Sequence, residues 1–507
     1  MSGLFQSYKL ALIDSSFYFR PFSEEVRSSL AEIAVYVGQS FQDEAQQIKK
    51  VLSADRKTVY EDNLRFLNQD VGLHTLNLSS DGDFAKRLQN DTWGLLKLLE
   101  ELKAKFVLLT ADQLLIQRVI MNDLNVDLYE LNTDRFIYKE EFPLFQRQYE
   151  LMPEARLTIP EDFRAEEQMV LYRKGKPDVI LGKEIRSGLE ATLHHVKDQT
   201  GMVAKIFKRG MLRKDKFDSL LKLQGINERM DISWALFPLD ILYYDSAKQF
   251  PAGFTQSYLE TKENLDDNPL YLGDLPDEYL DTRLSATVEL ALKVVRQVRY
   301  LNQYGFFISD YNMGNFAIRN DTDSVIQLWD TDSFGYSQFF SGYSSGYRTS
   351  QTYDTSCKTG AIEYCNEALY LFVFSLLSLG DAPISEFSGK FKYDKPDYQL
   401  MYRKNLIPER LWELFEEVFR GEKVASVEVL LQYLAETLEE LNADPDKNKT
   451  YQELLDDVWD EEEDEDEADD EEKKEAHPED KKMPSWMPAV IAAAAIAAAA
   501  SYFLFFV

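Results

Sequence analysis

Cysteine is nearly missing from this 507-residue chain; there are two, Cys357 and Cys365. Two thiols cannot build a disulfide framework, which suits a reducing compartment. Histidine is almost as scarce. The four present (His74, His194, His195 and His477) lack metal-ligand spacing, which argues against a zinc site. Positive charge is in short supply too: 56 Lys and Arg stand against 88 Asp and Glu, a formal net charge of −32. That balance argues against general nucleic-acid binding and leaves room only for a small local site. The N-terminus has no basic stretch leading into an apolar core, so no secretory signal is expected. No internal repeat is visible.

What remains is the composition of a folded protein, 45% apolar and 13% aromatic, and a length that predicts two or three domains. Much of the negative charge is local. Asp456–Asp480 holds 17 acids and two lysines, a stretch that repels itself and buries nothing, so it is expected to be an extended linker. Beyond it, Met487–Val507 is an uncharged apolar run of 21 residues, preceded by Lys481, Lys482 and Trp486. As a helix it reaches about 30 Å, the thickness of a bilayer core. With no polar face to lie on water, and lysines before it, it is expected to be a tail anchor that keeps everything N-terminal to it in the cytoplasm.

The first half alternates strands and helices. Tyr8–Asp14 reads as a buried strand ending in an acid, followed by helical patterns over Glu24–Leu52 and Asp91–Leu102. Lys105–Thr110 is a second buried strand, then a helix over Gln113–Met121 and a third strand over Val126–Leu131. Such alternation predicts an α/β unit with a parallel sheet. Lys139–Lys176, charged and interrupted by Pro143, Pro153 and Pro160, reads as a linker.

From Asp178 the pattern changes. Short strands over Val179–Glu184, Ala191–Val196 and Met202–Phe207 are followed by a basic helix over Leu212–Leu223. Two more strands, Trp234–Tyr244 and Gly253–Tyr258, would complete a small antiparallel sheet, after which the chain turns largely helical.

The most informative run lies in that helical part. An apolar helix over Ala286–Tyr300 leads into Ser-Asp310-Tyr-Asn-Met-Gly-Asn315, then a hairpin of Phe316–Ile318 and Val325–Leu328, then Trp-Asp330-Thr-Asp332-Ser-Phe-Gly. An acid, an amide five positions on, and a second acid after an apolar strand can meet an attacking hydroxyl and hold magnesium against phosphates.

These residues resemble those of protein kinases, and more closely of bacterial kinase-like proteins, over Asp178–Leu441. The resemblance implies Lys205 of Val-Ala-Lys as the grip on the α- and β-phosphates of ATP, and Asp310 as the catalytic base. It implies Asn315 and Asp330 as Mg²⁺ ligands, with Asp332 sharing or replacing Asp330, and Gly188 as part of the phosphate loop. Tyr336–Ser356, dense in Ser, Tyr and Thr, resembles an activation segment, and Tyr370–Pro383 the buried large-lobe helix and its ending. The pattern departs from the family in several places. Leu189 and Ala191 stand where glycines are usual, and the helix after Lys205 has no glutamate, only Asp215 and Asp218. Asn312 replaces the lysine two residues after the base, and Asp330-Thr331-Asp332 replaces Asp-Phe-Gly.

The first half resembles a PIN-type nuclease domain, which gathers carboxylates at the ends of parallel strands around Mg²⁺ or Mn²⁺. Asp14 and Asp112 match the first and third acids; Glu44 is a candidate second, and Asp127 or Asp134 a candidate fourth. Acids at strand ends also cap helices, so a degenerate docking domain is the plainer alternative.

The expected organisation is therefore α/β plus α+β. Residues 1–138 form a PIN-like three-layer α/β domain and 139–177 a linker; 178–262 and 263–441 are the small and large lobes of a bilobal kinase-like domain. Residues 442–486 form a disordered acidic linker and 487–507 one transmembrane helix. The expected function is membrane-anchored binding of Mg-ATP and phosphate transfer to a protein Ser or Thr, itself included. The alternatives are an inactive pseudokinase scaffold at the membrane, and a metal-dependent ribonuclease regulated by its kinase-like neighbour. The expected partners are ATP, a protein and the lipid bilayer.

Overall fold

Runs of Val, Leu and Ile without polar alternation make strands covered on both faces, and the first half of the chain is built on them. The computed structural model describes residues 5, 8, 10–76, 96, 106–121, 124–132, 135–138, 164–188, 190–208, 211–212, 214–230, 232–248, 250–258, 263–264, 281–308, 311, 315–318, 326–336, 360–378, 406–419 and 423–454. Strands β1 (Ala11–Ile13), β2 (Val35–Gly38), β3 (His74–Leu76), β4 (Val107–Thr110) and β5 (Asp127–Asn132) pair in parallel in the order β3-β2-β1-β4-β5. β6 (Arg135–Tyr138) closes the edge antiparallel to β5. Around this sheet run α1 (Glu24–Leu30), α2 (Gln39–Lys49), α3 (Ala54–Phe66) and α4 (Gln113–Met121). Ser23 and Ser53 cap α1 and α3, their hydroxyls accepting from the Val26 and Arg56 N–H groups.

The order of strands reverses between β1 and β4. Asp14 follows β1 directly and Asp112 lies two residues beyond β4, so both sit at the carboxyl ends flanking the switch point, where open α/β sheets present their ligand crevice. One expectation fails here. The helix expected over Glu24–Leu52 is broken by β2, because Val35-Tyr36-Val37 carries β-branched and aromatic side chains suited to a strand beside β1.

The second half opens with an antiparallel sheet. It contains β7 (Val170–Leu171), β8 (Val179–Ser187), β9 (Ala191–Val196), β10 (Met202–Phe207), β11 (Asp240–Tyr243) and β12 (Pro251–Ser257), in the order β11-β12-β10-β9-β8-β7. Helix α5 (Lys214–Met230) connects β10 to β11. Alternation along β10 sends Ala204 and Ile206 into a core with Leu171, Val179, Leu181 and Leu242. Phe207, on the other face, packs with Leu212 and Leu220 under α5, and Lys205 shares that face. The stretch expected as a linker, 139–177, therefore contributes β7 to this sheet: Val170 and Leu171 pair with Ile180 and Val179.

The remainder is mostly helical: β13 (Glu263–Asn264), α6 (Leu284–Gln303), β14 (Phe306–Phe307), β15 (Phe316–Ile318), β16 (Ile326–Leu328), β17 (Gly335–Tyr336), α7 (Gly360–Leu377), α8 (Glu409–Phe419) and α9 (Val427–Ala443). β15 and β16 form the expected hairpin, with β13 alongside. The strand expected over Trp234–Tyr244 starts only at Asp240. Before it, Trp234 and Leu236 bond instead to β16, Leu328 N–H donating to Trp234 O at 2.7 Å and Leu236 N–H to Leu328 O at 3.0 Å.

Helix α6 is buried on nearly every side. It packs against α2 and α4 of the first half and against α7 and α9 of the second. The described residues all fall in one compact unit, Met1–Leu454. The expected acidic run Asp456–Asp480 and the expected span Met487–Val507 lie outside the described residues. Among the described residues no helix is long and apolar enough to cross a membrane.

Candidate functional site

The hairpin and the antiparallel sheet bring together side chains more than a hundred positions apart. Lys205 Nζ donates to Asp330 Oδ1, and to Asp332 Oδ1 at 2.5 Å. Lys205 reaches them from β10, and the two acids sit just past β16. A 3-10 turn over Thr331–Ser333 sets their spacing, and Thr331 Oγ1 anchors that turn by donating to Leu236 O at 2.7 Å. Asp330 holds the left-handed conformation, φ 47 and ψ 36. That conformation is strained for a residue with a Cβ, least so for Asp and Asn, and such strain gathers where function needs a fixed geometry. Asn315 lies opposite: its carbonyl accepts from the Trp329 N–H at 2.8 Å, the residue before Asp330. Asp310 lies outside the described residues, as do Leu189 and most of Tyr336–Ser356.

Charges balance locally. Burial works against the Lys205 ammonium, but the Asp332 and Asp330 carboxylates outweigh it and hold the group above the usual lysine range. Burial likewise disfavours ionised Asp332, yet Lys205 and Lys216 overcome it and keep this carboxyl well below the usual range. Asp330 goes the other way, raised by desolvation and then by the Asp332 charge. The Asp332 Oδ2 atom is buried and faces the Lys216 ammonium at 3.1 Å, and the Asp330 side chain stays 39% exposed. The two carboxylates are hard-oxygen donors of the kind magnesium prefers, with phosphates completing the shell. The residues present fit that ion.

Two members of the pocket escaped sequence reading. Lys216, on α5, lies 3.1 Å from Asp332 Oδ2 and donates to Glu190 Oε2 at 2.6 Å. Glu190 sits in the β8–β9 turn beside Gly188, whose N–H donates to Ala191 O at 2.9 Å and whose carbonyl accepts from Lys208 Nζ at 2.5 Å. The β8–β9 turn is thus tied to the helix by an ion pair. Lys205 is paired by Asp330 and Asp332; the side chains of Asp215 and Asp218, the acids considered for that role, lie outside the described ones.

The acids of the first half come together as well, around a cation. Asp14 accepts from Ser16 Oγ at 2.7 Å and Thr110 Oγ1 at 2.9 Å. Asp112 Oδ1 caps α4 through the Leu115 N–H at 3.0 Å, and its Oδ2 accepts from Arg299 Nη1 at 2.6 Å. Glu44 on α2 accepts from Arg299 Nε. Burial and then Asp112 push the Asp14 carboxyl up to about 7. Asp127 stands apart: it begins β5, at the end opposite Asp112, and accepts from Tyr138 Oη at 3.0 Å. Asp134 lies outside the described residues. Among the described residues no group of three or more His, Cys, Asp or Glu is arranged to hold a metal ion.

No family model matches the sequence, and no curated protein matches it. Among solved structures, the ROP18 kinase domain in complex with AMP-PNP and sucrose is similar at 11% identity, covering 54% of this chain and 87% of its own, with a TM-score of 0.34. ROP2 from Toxoplasma gondii, a virulence factor with a protein-kinase fold and no enzymatic activity, is similar at 16% identity, covering 55% of this chain and 86% of its own, with a TM-score of 0.37. Both neighbours are protein-kinase-fold domains.

Proposed function

We propose that the second half of the chain is a kinase-like domain that binds Mg-ATP. The observation that carries this is the meeting of Lys205 with Asp330 and Asp332, an ammonium and two carboxylates brought together by a strand and a hairpin turn. Lys205, kept charged, would bind the α- and β-phosphates, and Asn315, Asp330 and Asp332 would hold magnesium. The metal would neutralise charge on the phosphates. Asp310 would accept the proton of an attacking protein Ser or Thr hydroxyl, on this chain or another. Met487–Val507 would tether the domain to a membrane, with both halves on the cytoplasmic side.

A second reading, a pseudokinase that keeps the pocket as a switch, is favoured by Lys216. The helix supplies a lysine where an active kinase supplies a glutamate, and Glu190 ties the loop over the phosphate space to it. Thermal shift of the detergent-solubilised full chain, with ATP in the presence and absence of magnesium, tests the binding. A magnesium-dependent shift is expected, and its absence sinks the proposal. A shift without ³²P incorporation selects the pseudokinase.

A further inference from the structure

Helix α6 carries a stripe of buried polar side chains. Arg296, Arg299 and Gln303, at helical spacing on one face, are each at most 4% exposed. All three face the first half of the chain. Arg296 Nε and Nη2 donate to Gln47 Oε1 at 3.0 and 2.6 Å, and Gln303 Nε2 donates to Ser15 Oγ at 3.0 Å. Arg299, between them, spends each nitrogen on a different carboxylate. Nε bonds Glu44 from α2, Nη1 bonds Asp112 beyond β4 at 2.6 Å, and Nη2 bonds Glu428 from α9 at 2.7 Å.

The position matters as much as the bonds. Asp14 and Asp112 flank the β1–β4 switch point, where an α/β sheet opens its ligand crevice. The group found there is the guanidinium of Arg299. A planar fork of N–H donors matches three carboxylates arriving from three directions, and its single charge leaves the acids in excess. The oxygens of Glu44 and Asp112 that a metal would need already accept from Arg299.

We infer that the switch-point crevice of the N-terminal α/β domain is a guanidinium-binding pocket filled by the chain's own Arg299. It clamps this domain onto α6 and closes the crevice to divalent metal. The domain is then a docking module for the kinase-like half and has no metal-dependent nuclease centre. This inference is independent of nucleotide binding at Lys205.

The experiment is chemical rescue on the full chain. Arg299→Ala should unfold at a lower temperature than wild type. Millimolar methylguanidinium should restore most of the loss in that variant and do nothing for Asp112→Asn, while Mn²⁺ should restore none. In wild type, Mn²⁺ titrated by electron paramagnetic resonance should show no saturable site that depends on Asp14 or Asp112. Rescue by Mn²⁺, rescue by neither ion, or an unchanged melting temperature would each overturn the inference. If Arg299→Ala does not fold, the wild-type Mn²⁺ titration decides: a site abolished by Asp112→Asn refutes the clamp. Arg299→Lys, which keeps the charge without the fork, should then melt at a lower temperature than wild type, and a melting temperature equal to wild type would also refute the clamp.

Discussion

Lys216 Nζ stands 3.1 Å from Asp332 Oδ2, so the helix after the lysine strand offers the pocket a cation. Protein kinases offer a glutamate from that helix to pair with the strand lysine. Here the polarity is inverted, and Lys205 is oriented by Asp330 and Asp332 while Lys216 steadies Asp332 from behind. Both Lys216 and Asp332 are almost fully buried, so breaking their pair leaves a carboxylate short of a partner. Lys216→Met should cost about 3 kcal/mol in urea unfolding of the full chain. Lys216→Glu, which restores the sign usual in kinases, should be worse still, because it places a carboxylate beside Asp332 and Glu190. A Lys216→Glu protein as stable as wild type would refute the inverted arrangement.

The pocket residues separate by role. Lys205→Ala and Asp330→Asn should abolish the magnesium-dependent ATP thermal shift, whereas Asp310→Asn should keep the shift and lose ³²P transfer. Asparagine tolerates the left-handed backbone at position 330, so this variant removes charge without adding strain. Equal shifts from all three variants would dismiss the assigned roles.

Glycine has different duties at two positions. A Cβ at Gly253 would collide with the Lys205 carbonyl, backbone against backbone, where β12 and β10 pair. Gly253→Ala should cost about 1–3 kcal/mol and weaken ATP binding by moving Lys205. At Gly188 the nearest atom to a Cβ is the Ala191 carbonyl at 3.6 Å, ordinary contact. Gly188→Ala should change stability by less than about 0.5 kcal/mol. If backbone there approaches phosphate, ATP titration will still show a weaker Kd. An unchanged Kd would remove Gly188 from the phosphate site.

Two arginines one turn apart on α6 should respond to very different extents. Arg299 is held well above its ordinary pKa: Glu44, Asp112 and Glu428 overcome the cost of burial. Arg296 donates to the neutral Gln47 oxygen, and burial lowers its pKa to about 10. Arg299→Met should cost about 3–5 kcal/mol, and Arg296→Met less than about 1 kcal/mol. Denaturant titration of both variants measures the difference, and comparable losses would contradict it.

Deleting Met487–Val507 should move the protein from the membrane to the soluble fraction. A truncated protein that still pellets after carbonate washing would refute the tail anchor.

Much of the local structure was legible in the residues. Ala191–Val196, Met202–Phe207 and Gln113–Met121 fold as their periodicity predicts. β2 was missed because Val35-Tyr36-Val37 beside helical patterns is too short to reveal its own period, and β3 because His74-Thr75-Leu76 carries a single apolar side chain. The stripe Arg296-x-x-Arg299-x-x-x-Gln303 was readable as polar groups at helical spacing. Nothing in the numbering, however, ties Arg299 to Glu44, 255 residues away.

Composition and pattern by themselves determined the alternation of elements, the acidic tail with its apolar end, and which residue types could handle phosphate and magnesium. Tertiary structure alone decided which charges meet. Electrostatic energy depends on distance through space and on burial, and neither can be read from spacing along the chain. Hence Lys216 became the inner cation beside Asp332, and the acids read as a metal centre closed around Arg299.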